Sequence, residues 1–160
     1  MAESIIINKK LSKEEFYQSL VPQIKVLIEG ETDLIANMAN VSAVLKEAMN
    51  WLWVGFYIVK DNQLVLGPFQ GPLACTRIEY DKGVCGKAWS TKTTLIVPDV
   101  DNFPGHIACS SLSKSEIVIP AVVKNEVKFV LDIDSETIGN FDETDRKYLE
   151  MIVAKLASVY

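Results

Sequence analysis

Apolar residues recur at helical spacing in the first part of the chain. Ser12 and Glu15 have the spacing of a capping box, so a helix is predicted to begin near Lys13. Pro22 lies inside the same pattern and is expected to kink or split this helix, because proline lacks an amide hydrogen and crowds the preceding turn. The apolar residues that define the buried side are Phe16, Leu20, Ile24 and Leu27.

Two further stretches predict helices by the same criterion. Thr32 is expected to cap the second helix, whose apolar positions alternate steps of four and three and are Leu34, Met38, Val41, Leu45 and Ala48. Near the end of the chain, Asp142 is expected to cap a helix whose buried side carries Leu149, Ile152, Val153 and Leu156. The strands are therefore expected between these helices.

Strand patterns begin in the middle of the chain. Residues 52–59 are aromatic and β-branched, with apolar side chains on both faces, which is typical of a central strand covered on both sides. Residues 61–62 predict a turn into a second strand over 63–66. Trp53 and Tyr57 occupy alternate positions of the first strand, so their side chains are expected on the same side of the sheet.

A hairpin is predicted later in the chain. Residues 116–123 and 127–134 have strand patterns and flank a turn at 124–126. On the second of these strands the alternation separates two faces, one with Val127, Phe129, Leu131 and Ile133, the other with Lys128, Val130, Asp132 and Asp134.

The composition is that of one folded domain over residues 1–160. The chain is 49% apolar and 23% charged, and a domain of 160 residues can bury a sizeable core. The net charge of -5 and the scattered lysines argue against nucleic acid and anionic membranes as partners. The three consecutive isoleucines near the start are too few for a signal peptide or a membrane span, so the cytosol is the expected compartment.

Carboxyl groups cluster on the predicted hairpin. Asp132 and Asp134 share a face about 7 Å apart, and if the hairpin pivots on Asn125, Glu116 lies opposite Asp134. Like charges that face each other destabilise a sheet unless a cation lies among them or one is protonated. Three interpretations stay open: the solvated face of an edge strand, a site for a hard cation such as Mg²⁺, and a site for the ammonium group of a small zwitterion.

The three cysteines, Cys75, Cys85 and Cys109, are an odd number without a C-x-x-C pair. A structural disulfide framework is therefore not predicted, and any pairing is expected to be transient. One interpretation is a nucleophile with resolving thiols, and the other is a set of small buried apolar residues. Cys85 and Cys109 are both expected near helix N-termini, where a thiolate is stabilised.

A long irregular stretch covers residues 98–115 and contains both Cys109 and His106, the only histidine. It exceeds the ~12 to 15 residues that loops without a function usually reach, so a binding loop is expected. His106 is either a general base or a solvent-exposed side chain. With the three cysteines it also suggests a Cys3His zinc site, although the spacings are long and irregular.

Several short motifs between about residues 50 and 141 carry a resemblance to a known family. They are WLWVGFY at 51–57, GPFQG at 67–71, Cys75, GVCG at 83–86, PDV at 98–100, HIAC at 106–109, SEIVIP at 115–120 and LDIDS at 131–135. In this combination the chain resembles the free methionine-(R)-sulfoxide reductases, which are single GAF domains. The resemblance implies an α+β fold with a central antiparallel sheet of about six strands, terminal helices on one face and ligand-binding loops on the other.

The resemblance also implies roles for the cysteines. Cys109 would be the nucleophile, Cys75 its resolving partner and Cys85 an auxiliary thiol. Attack of Cys109 on the sulfoxide sulfur would release methionine and leave a sulfenic acid, which Cys75 would convert to a disulfide. Thioredoxin, kept reduced by NADPH through thioredoxin reductase, would reduce that disulfide, so no bound cofactor is expected.

The same resemblance implies a substrate site. Glu116, Asp132 and Asp134 would line it, and Trp53 and Tyr57 would form its wall around the S-methyl group. A sulfoxide is a poor electrophile until its oxygen is hydrogen-bonded or protonated, so Asp134 or Glu116 is expected as the acid, while Asp132 helps to hold the ammonium group. The alternative function is a non-catalytic GAF module that binds a small molecule. A homodimer through the terminal helices is a further expectation.

Overall fold

An antiparallel sheet of six strands forms the centre of the computed structural model, which describes residues 4–107 and 109–160. The strands are β1 Trp53–Lys60, β2 Gln63–Gln70, β3 Arg77–Glu79, β4 Leu95–Val97, β5 Ser115–Val123 and β6 Glu126–Ser135. Their order across the sheet is β3-β2-β1-β6-β5-β4, and every neighbouring pair is antiparallel. The expected α+β fold is therefore confirmed.

Helices flank this sheet. They are α1 Lys13–Leu27, α2 Leu34–Met49, α3 Gly83–Thr91, α4 Glu143–Ala157 and the short 3₁₀ helix Val100–Asn102. Three of them, α1, α2 and α4, confirm the helices predicted from apolar periodicity. None of the helices in the described part of the chain has both the length and the hydropathy that crossing a bilayer requires.

The helices follow the predictions with two corrections, one to the interior of α1 and one to the cap of α2. Ser12 caps α1 and forms the predicted capping box with Glu15. α1 is not split at Pro22, because apolar side chains before and after the proline are buried and their packing outweighs one lost backbone hydrogen bond. α2 is capped by Asp33 and not by Thr32, since the Asp33 carboxylate accepts a hydrogen bond at 2.9 Å from an amide of the first turn.

The two faces of the sheet have different partners. α1, α2 and α4 pack on one face, against apolar side chains of the central strands that include Val54, Phe56, Ile117, Ile119 and Leu131. α3 and the loops after β2 and β4 lie on the other face, where the buried side chains include Trp53, Tyr57, Val118 and Val130. The expected arrangement, with terminal helices on one side and loops on the other, is confirmed.

The register of the β5–β6 hairpin places Glu116 opposite Asp134, as predicted. The turn, however, has two residues and not three: Lys124 and Asn125 both adopt positive φ, and the next residue already belongs to β6. Lys128 is an extra residue in β6 at a β-bulge. Because the bulge adds the residue that the shorter turn lacks, the carboxyl groups meet in the predicted register.

The bulge also overturns one predicted face. Val127 was expected on the same face as Phe129, but it is buried on the opposite face with Val130. Strict alternation of faces along a strand fails across a bulge, because one residue is left unpaired there. Beyond the bulge the predicted alternation holds.

A buried carboxylate connects α1 to α4. Asp145, in the first turn of α4, is fully buried and forms an ion pair with Lys13. Its Oδ1 accepts a hydrogen bond from the Tyr17 hydroxyl at 2.7 Å, and its Oδ2 accepts one from the amide of Asp142 at 2.8 Å. The charge is thus paired and hydrogen-bonded, as burial requires. These contacts hold the terminal helices together behind the sheet.

We expect Tyr17→Phe to lower the free energy of unfolding by about 1–3 kcal/mol, because a buried carboxylate oxygen loses its donor. Tyr148→Phe is the matched control: the Tyr148 ring stacks on Tyr17 at 5.0 Å, but its hydroxyl donates to Glu14, whose side chain is 43% exposed. The control should lose less stability. Urea unfolding measures both variants, and equal losses would contradict this role of the Tyr17 hydroxyl.

Candidate active site

Three carboxyl groups lie on the face of the sheet that is turned away from α1, α2 and α4. Asp132 and Asp134 share a face of β6, and Glu116 of β5 pairs with Asp134 across the hairpin. Glu116 and Asp132 are only 6% and 7% exposed, and β5 and β6 are both inside the sheet. The interpretation of this cluster as the solvated face of an edge strand is therefore wrong.

Burial sets the protonation of the cluster. It raises the pKa values of Glu116 and Asp132 well above the usual carboxyl range, and nearby carboxylates raise both further. Burial also raises the pKa of Asp134 to about 6, while a hydrogen bond from the Ser113 hydroxyl opposes this shift. At neutral pH the cluster therefore retains a proton, which a carboxyl group in water would have lost.

Cys75 and Cys109 form a disulfide beside these carboxyl groups. Cys75 lies in the segment after β2, and Cys109 lies in the loop that precedes β5. Cys109 is not at the start of a helix, so the predicted helix dipole does not act on it. Because each of these two sulfurs is bonded to the other, the Cys3His zinc site is wrong for this structure.

Cys85 is the third residue of α3, close to the helix N-terminus as predicted, and it is buried. Its thiol donates a weak hydrogen bond to Oε1 of Glu116 at 3.9 Å. Burial raises the pKa of this thiol well above its usual value, and the charges of Asp132 and Glu116 add to the effect. Burial and acidic neighbours thus outweigh the helix dipole, and Cys85 is a neutral thiol.

An aromatic wall stands next to the carboxyl groups. Trp53 and Tyr57 project from the same face of β1, as predicted, and their rings stack with centroids 5.9 Å apart. The Trp53 indole donates to the carbonyl of Pro72 at 3.1 Å, and the Tyr57 hydroxyl donates to the carbonyl of Cys75 at 3.0 Å. The wall therefore fixes the segment that carries Cys75. Gly55 leaves the space in which the Trp53 ring lies.

The three carboxyl groups, two of the cysteines (Cys85 and Cys109) and the aromatic wall line one cavity of about 40 Å³. This volume holds roughly three ordered water molecules, since a water needs about 10–15 Å³ by the same measure. Leu73 and Ile107 lie at its mouth and are 90% and 41% exposed. A ligand as large as an amino acid therefore needs its walls to move, and the loop with Cys109 is one of these walls.

His106 also lines this cavity. Its side chain is 14% exposed, which makes the interpretation as a solvent-exposed residue wrong, and its Nε2 lies 4.0 Å from Oε2 of Glu116. Burial lowers the His106 pKa, so the imidazole is neutral at neutral pH. A distance of 4.0 Å is too long for a hydrogen bond, so proton exchange between the two groups needs a bridging water, and the role of general base stays a prediction.

Sequence reasoning missed two residues of the site, Ser113 and Gly55. Ser113 donates to Oδ1 of Asp134, but nothing distinguishes it from its serine neighbours in the sequence. Gly55 did carry a signal, because a glycine inside an apolar strand marks close approach of another group. Here that group is the indole ring of Trp53.

The fold and the cavity define an α+β ligand-binding domain with a cysteine pair that forms a disulfide. A family model described as GAF domain matches residues 33–159. The chain is 59% identical over 98% of its length to GAF domain-containing protein A of Dictyostelium discoideum, of which it covers 99%. It is 47% identical over 93% of its length to the free methionine-R-sulfoxide reductase of Escherichia coli, of which it covers 91%.

A solved structure gives the same result. The X-ray structure of free methionine-R-sulfoxide reductase from Neisseria meningitidis in complex with its substrate matches with a TM-score of 0.95 and 49% identity, covering 99% of this chain and 95% of that one. The chain belongs to the free methionine-R-sulfoxide reductase family of GAF domains.

We expect Gly55→Ala to displace the Trp53 ring, because the added methyl carbon would lie 2.4 Å from that ring and 2.4 Å from Cβ of Phe69. Overpacking of this kind costs about 1–3 kcal/mol, and the change in the wall should alter tryptophan fluorescence. Gly67→Ala is the control, since its nearest contacts are 3.1 Å or longer. Urea unfolding followed by fluorescence compares them, and an equal or smaller loss for Gly55→Ala would contradict the assignment.

The raised pKa of Asp134 predicts how the free energy of unfolding changes with pH. Its pKa is about 6 in the folded protein and about 4 in an unfolded chain, so the folded state binds more protons between these values. The stability that this group contributes is therefore present below pH 4 and is lost as pH rises through 6. We expect Asp134→Asn to flatten the fall of unfolding free energy over this range, as measured by urea unfolding in metal-free buffer. Exposed Glu136→Gln should leave the slope unchanged, and the same slope in both variants would refute the assignment.

Proposed function

We propose that this protein reduces free methionine-(R)-sulfoxide to methionine with electrons from Cys109 and Cys75. The observation that carries the proposal is the disulfide between these residues, whose Cys109 lines a cavity together with three carboxyl groups. Such a site suits a small molecule that carries an ammonium group and accepts two electrons. A free amino acid with a sulfoxide side chain has both properties, and relatives of this chain bear the name of that activity.

Recognition of the free amino acid follows from the charges. Asp132 and Asp134 would accept hydrogen bonds from the substrate ammonium group, whose positive charge offsets their burial. Methionine within a peptide lacks this ammonium group and would leave the carboxyl groups without a partner. Trp53 and Tyr57 would contact the S-methyl group, since they line the same cavity.

Of the two acids considered, we favour Glu116 as the proton donor to the sulfoxide oxygen. Burial and the charges of Asp132 and Asp134 raise its pKa, so it holds a proton at neutral pH. The pKa of Asp134, about 6, leaves that group largely ionised at the same pH. His106, 4.0 Å from Glu116, would return a proton from solvent after each turnover.

The chemistry requires only the cysteines and this acid. The Cys109 thiolate attacks the sulfoxide sulfur, Glu116 protonates the oxygen, and the sulfur–oxygen bond breaks. The oxygen leaves as water, and a water molecule then attacks Sγ of Cys109. The bond between this sulfur and the substrate sulfur breaks, so methionine leaves as the thioether, reduced by two electrons, and Cys109 is left as a sulfenic acid. The Cys75 thiol then attacks this sulfur, water leaves, and the disulfide forms. No bound cofactor takes part, because the electrons pass through the cysteines.

Cys85 has a different environment from the other two cysteines. It is buried, and its thiol donates to Glu116, whereas Cys109 is exposed and Cys75 is half-buried. We propose that its auxiliary role is to orient the Glu116 carboxyl group. A role for Cys85 in a second disulfide stays a prediction.

A protein dithiol would complete the cycle by exchange with the disulfide, and we propose thioredoxin for this step. Exposed Leu73 and Ile107 provide an apolar rim next to Cys109, which suits docking of another protein. The cytosol would supply this reductant. Two further expectations stay predictions: that residues 1–160 act as one domain, and that two copies pair through the terminal helices.

The test is a coupled assay with thioredoxin, thioredoxin reductase and NADPH. We expect NADPH consumption with free methionine-(R)-sulfoxide, and much less with the S epimer or with a peptide that contains the sulfoxide. Cys109→Ser should lose at least about 1,000-fold in kcat, because it removes the nucleophile. Cys75→Ser should still form one methionine per protein in a single turnover and then stop with thioredoxin as reductant.

The outcomes separate the two candidate functions. Full activity in Cys109→Ser would refute the mechanism. Binding of the sulfoxide without consumption of NADPH, and without formation of methionine when dithiothreitol replaces thioredoxin, would favour the regulatory GAF module. If the protein is active with dithiothreitol but inactive with thioredoxin, the result supports the reductase and rejects thioredoxin as its partner.

A further inference from the structure

Cys85, Glu116 and Asp132 bring three potential metal ligands together beneath the cavity. One donor atom from each, a thiol sulfur and two carboxylate oxygens, lies within 4.8 Å of the others, and all three residues are buried. The reductase chemistry uses the carboxyl groups for an ammonium group and a proton. In that chemistry the Cys85 thiol only orients Glu116, yet its sulfur also gives the cluster a ligand atom that binds zinc-type metals.

One atom of this cluster lacks a partner. Oδ1 of Asp132 is completely buried and accepts no hydrogen bond from any residue that the structure describes, although Asp132 is only 7% exposed. A buried carboxyl oxygen without a hydrogen-bond partner is unfavourable, so it indicates a place for a ligand that binds this oxygen. The neighbouring sulfur restricts which cation fits best.

We propose that Cys85, Glu116 and Asp132 form a binding site for a thiophilic divalent cation of the zinc type. Hard cations such as Mg²⁺ prefer oxygen ligands alone, whereas Zn²⁺ accepts a thiolate together with carboxylates. Three protein ligands plus one open position is the usual set at an accessible zinc site, and here the open position faces the cavity. The Cys85 proton leaves to solvent when the sulfur binds the metal.

The site is accessible to an ion even with the disulfide closed. The cavity of about 40 Å³ takes a cation and a water molecule without the movement that an amino acid requires. The distances also need little adjustment, since Sγ of Cys85 is 3.9 Å from Oε1 of Glu116, and ligand atoms about 3.5 Å apart surround a tetrahedral zinc ion.

Occupation by the metal would block the substrate. A bound metal would be ligated by Asp132 and Glu116, which then could not contact the substrate ammonium group and the sulfoxide oxygen. The cation would therefore be an inhibitor that competes with methionine sulfoxide. This competition rests on the proposed function, whereas the metal site does not. The redox state of the cysteine pair does not remove any of the three ligands.

The test uses the oxidised protein, in which Cys85 provides the one titratable thiol of the three cysteines. Titration with Cd²⁺, followed by the ultraviolet charge-transfer band of a cadmium–thiolate bond, should saturate at one ion per chain. Equilibrium dialysis with Zn²⁺ should give the same stoichiometry. Cys85→Ser should abolish the band, and Asp132→Asn should weaken Zn²⁺ binding by at least about tenfold.

Asp134→Asn is the matched control, because it removes a carboxylate from the same face of β6 but not from the ligand set. It should weaken binding by no more than about threefold if ligation, and not overall negative charge, holds the metal. Circular dichroism checks that each variant is folded. Absence of bound metal, an unchanged band in Cys85→Ser, or equal losses in Asp132→Asn and Asp134→Asn would overturn the site.

A separate arm tests the competition. In reduced Cys109→Ser, which binds methionine sulfoxide without reducing it, the sulfoxide should raise the apparent Kd for Zn²⁺ in proportion to its concentration. Metal binding that is unaffected by the sulfoxide would overturn the competition and the placement of the substrate on these carboxyl groups. The metal site itself is tested only by the titration of the oxidised protein, so this arm does not affect it.

Discussion

Burial of three carboxyl groups on one hairpin is the constraint on which the rest of this structure depends. Removing such groups from water is unfavourable, and placing them side by side adds repulsion, so protons or a cation have to balance the charge. The opposite face of the same strands is packed against three helices, and Asp145 with Lys13 and Tyr17 holds two of these helices together. A stable core on one side of the sheet thus supports an unfavourable group of charges on the other.

The sequence predicts the elements and their faces well, because apolar periodicity and caps act locally. It also predicts that Glu116 meets Asp134, yet through a turn of the wrong length. A two-residue turn needs positive φ at Lys124 and Asn125, and the bulge at Lys128 makes up the difference. Neither lysine nor asparagine requires a bulge. The correct register therefore depends on two features, the two-residue turn and the bulge, that the pattern of residues does not contain.

The cavity is harder to derive from the sequence than the sheet. Cys75 and Cys109 are 34 residues apart, and only the loops after β2 and β4 bring them together, so no local pattern predicts their contact. Cys85 illustrates the opposite problem. Its place at a helix N-terminus was predicted correctly, but the expected thiolate is not formed, because burial among carboxyl groups outweighs the helix dipole. A motif alone therefore does not assign the chemistry of a cysteine.

The narrow cavity beneath the Cys75–Cys109 disulfide determines an order of events. With the bond closed, the space of about 40 Å³ has to widen before an amino acid fits, so a closed disulfide disfavours binding of both the product and the next substrate. If the walls move apart only when the bond opens, a reductant acts on the oxidised form first and the amino acid enters afterwards. The two half-reactions would then alternate without a ternary complex, and high concentrations of sulfoxide would leave the reductant's access to the oxidised protein unobstructed.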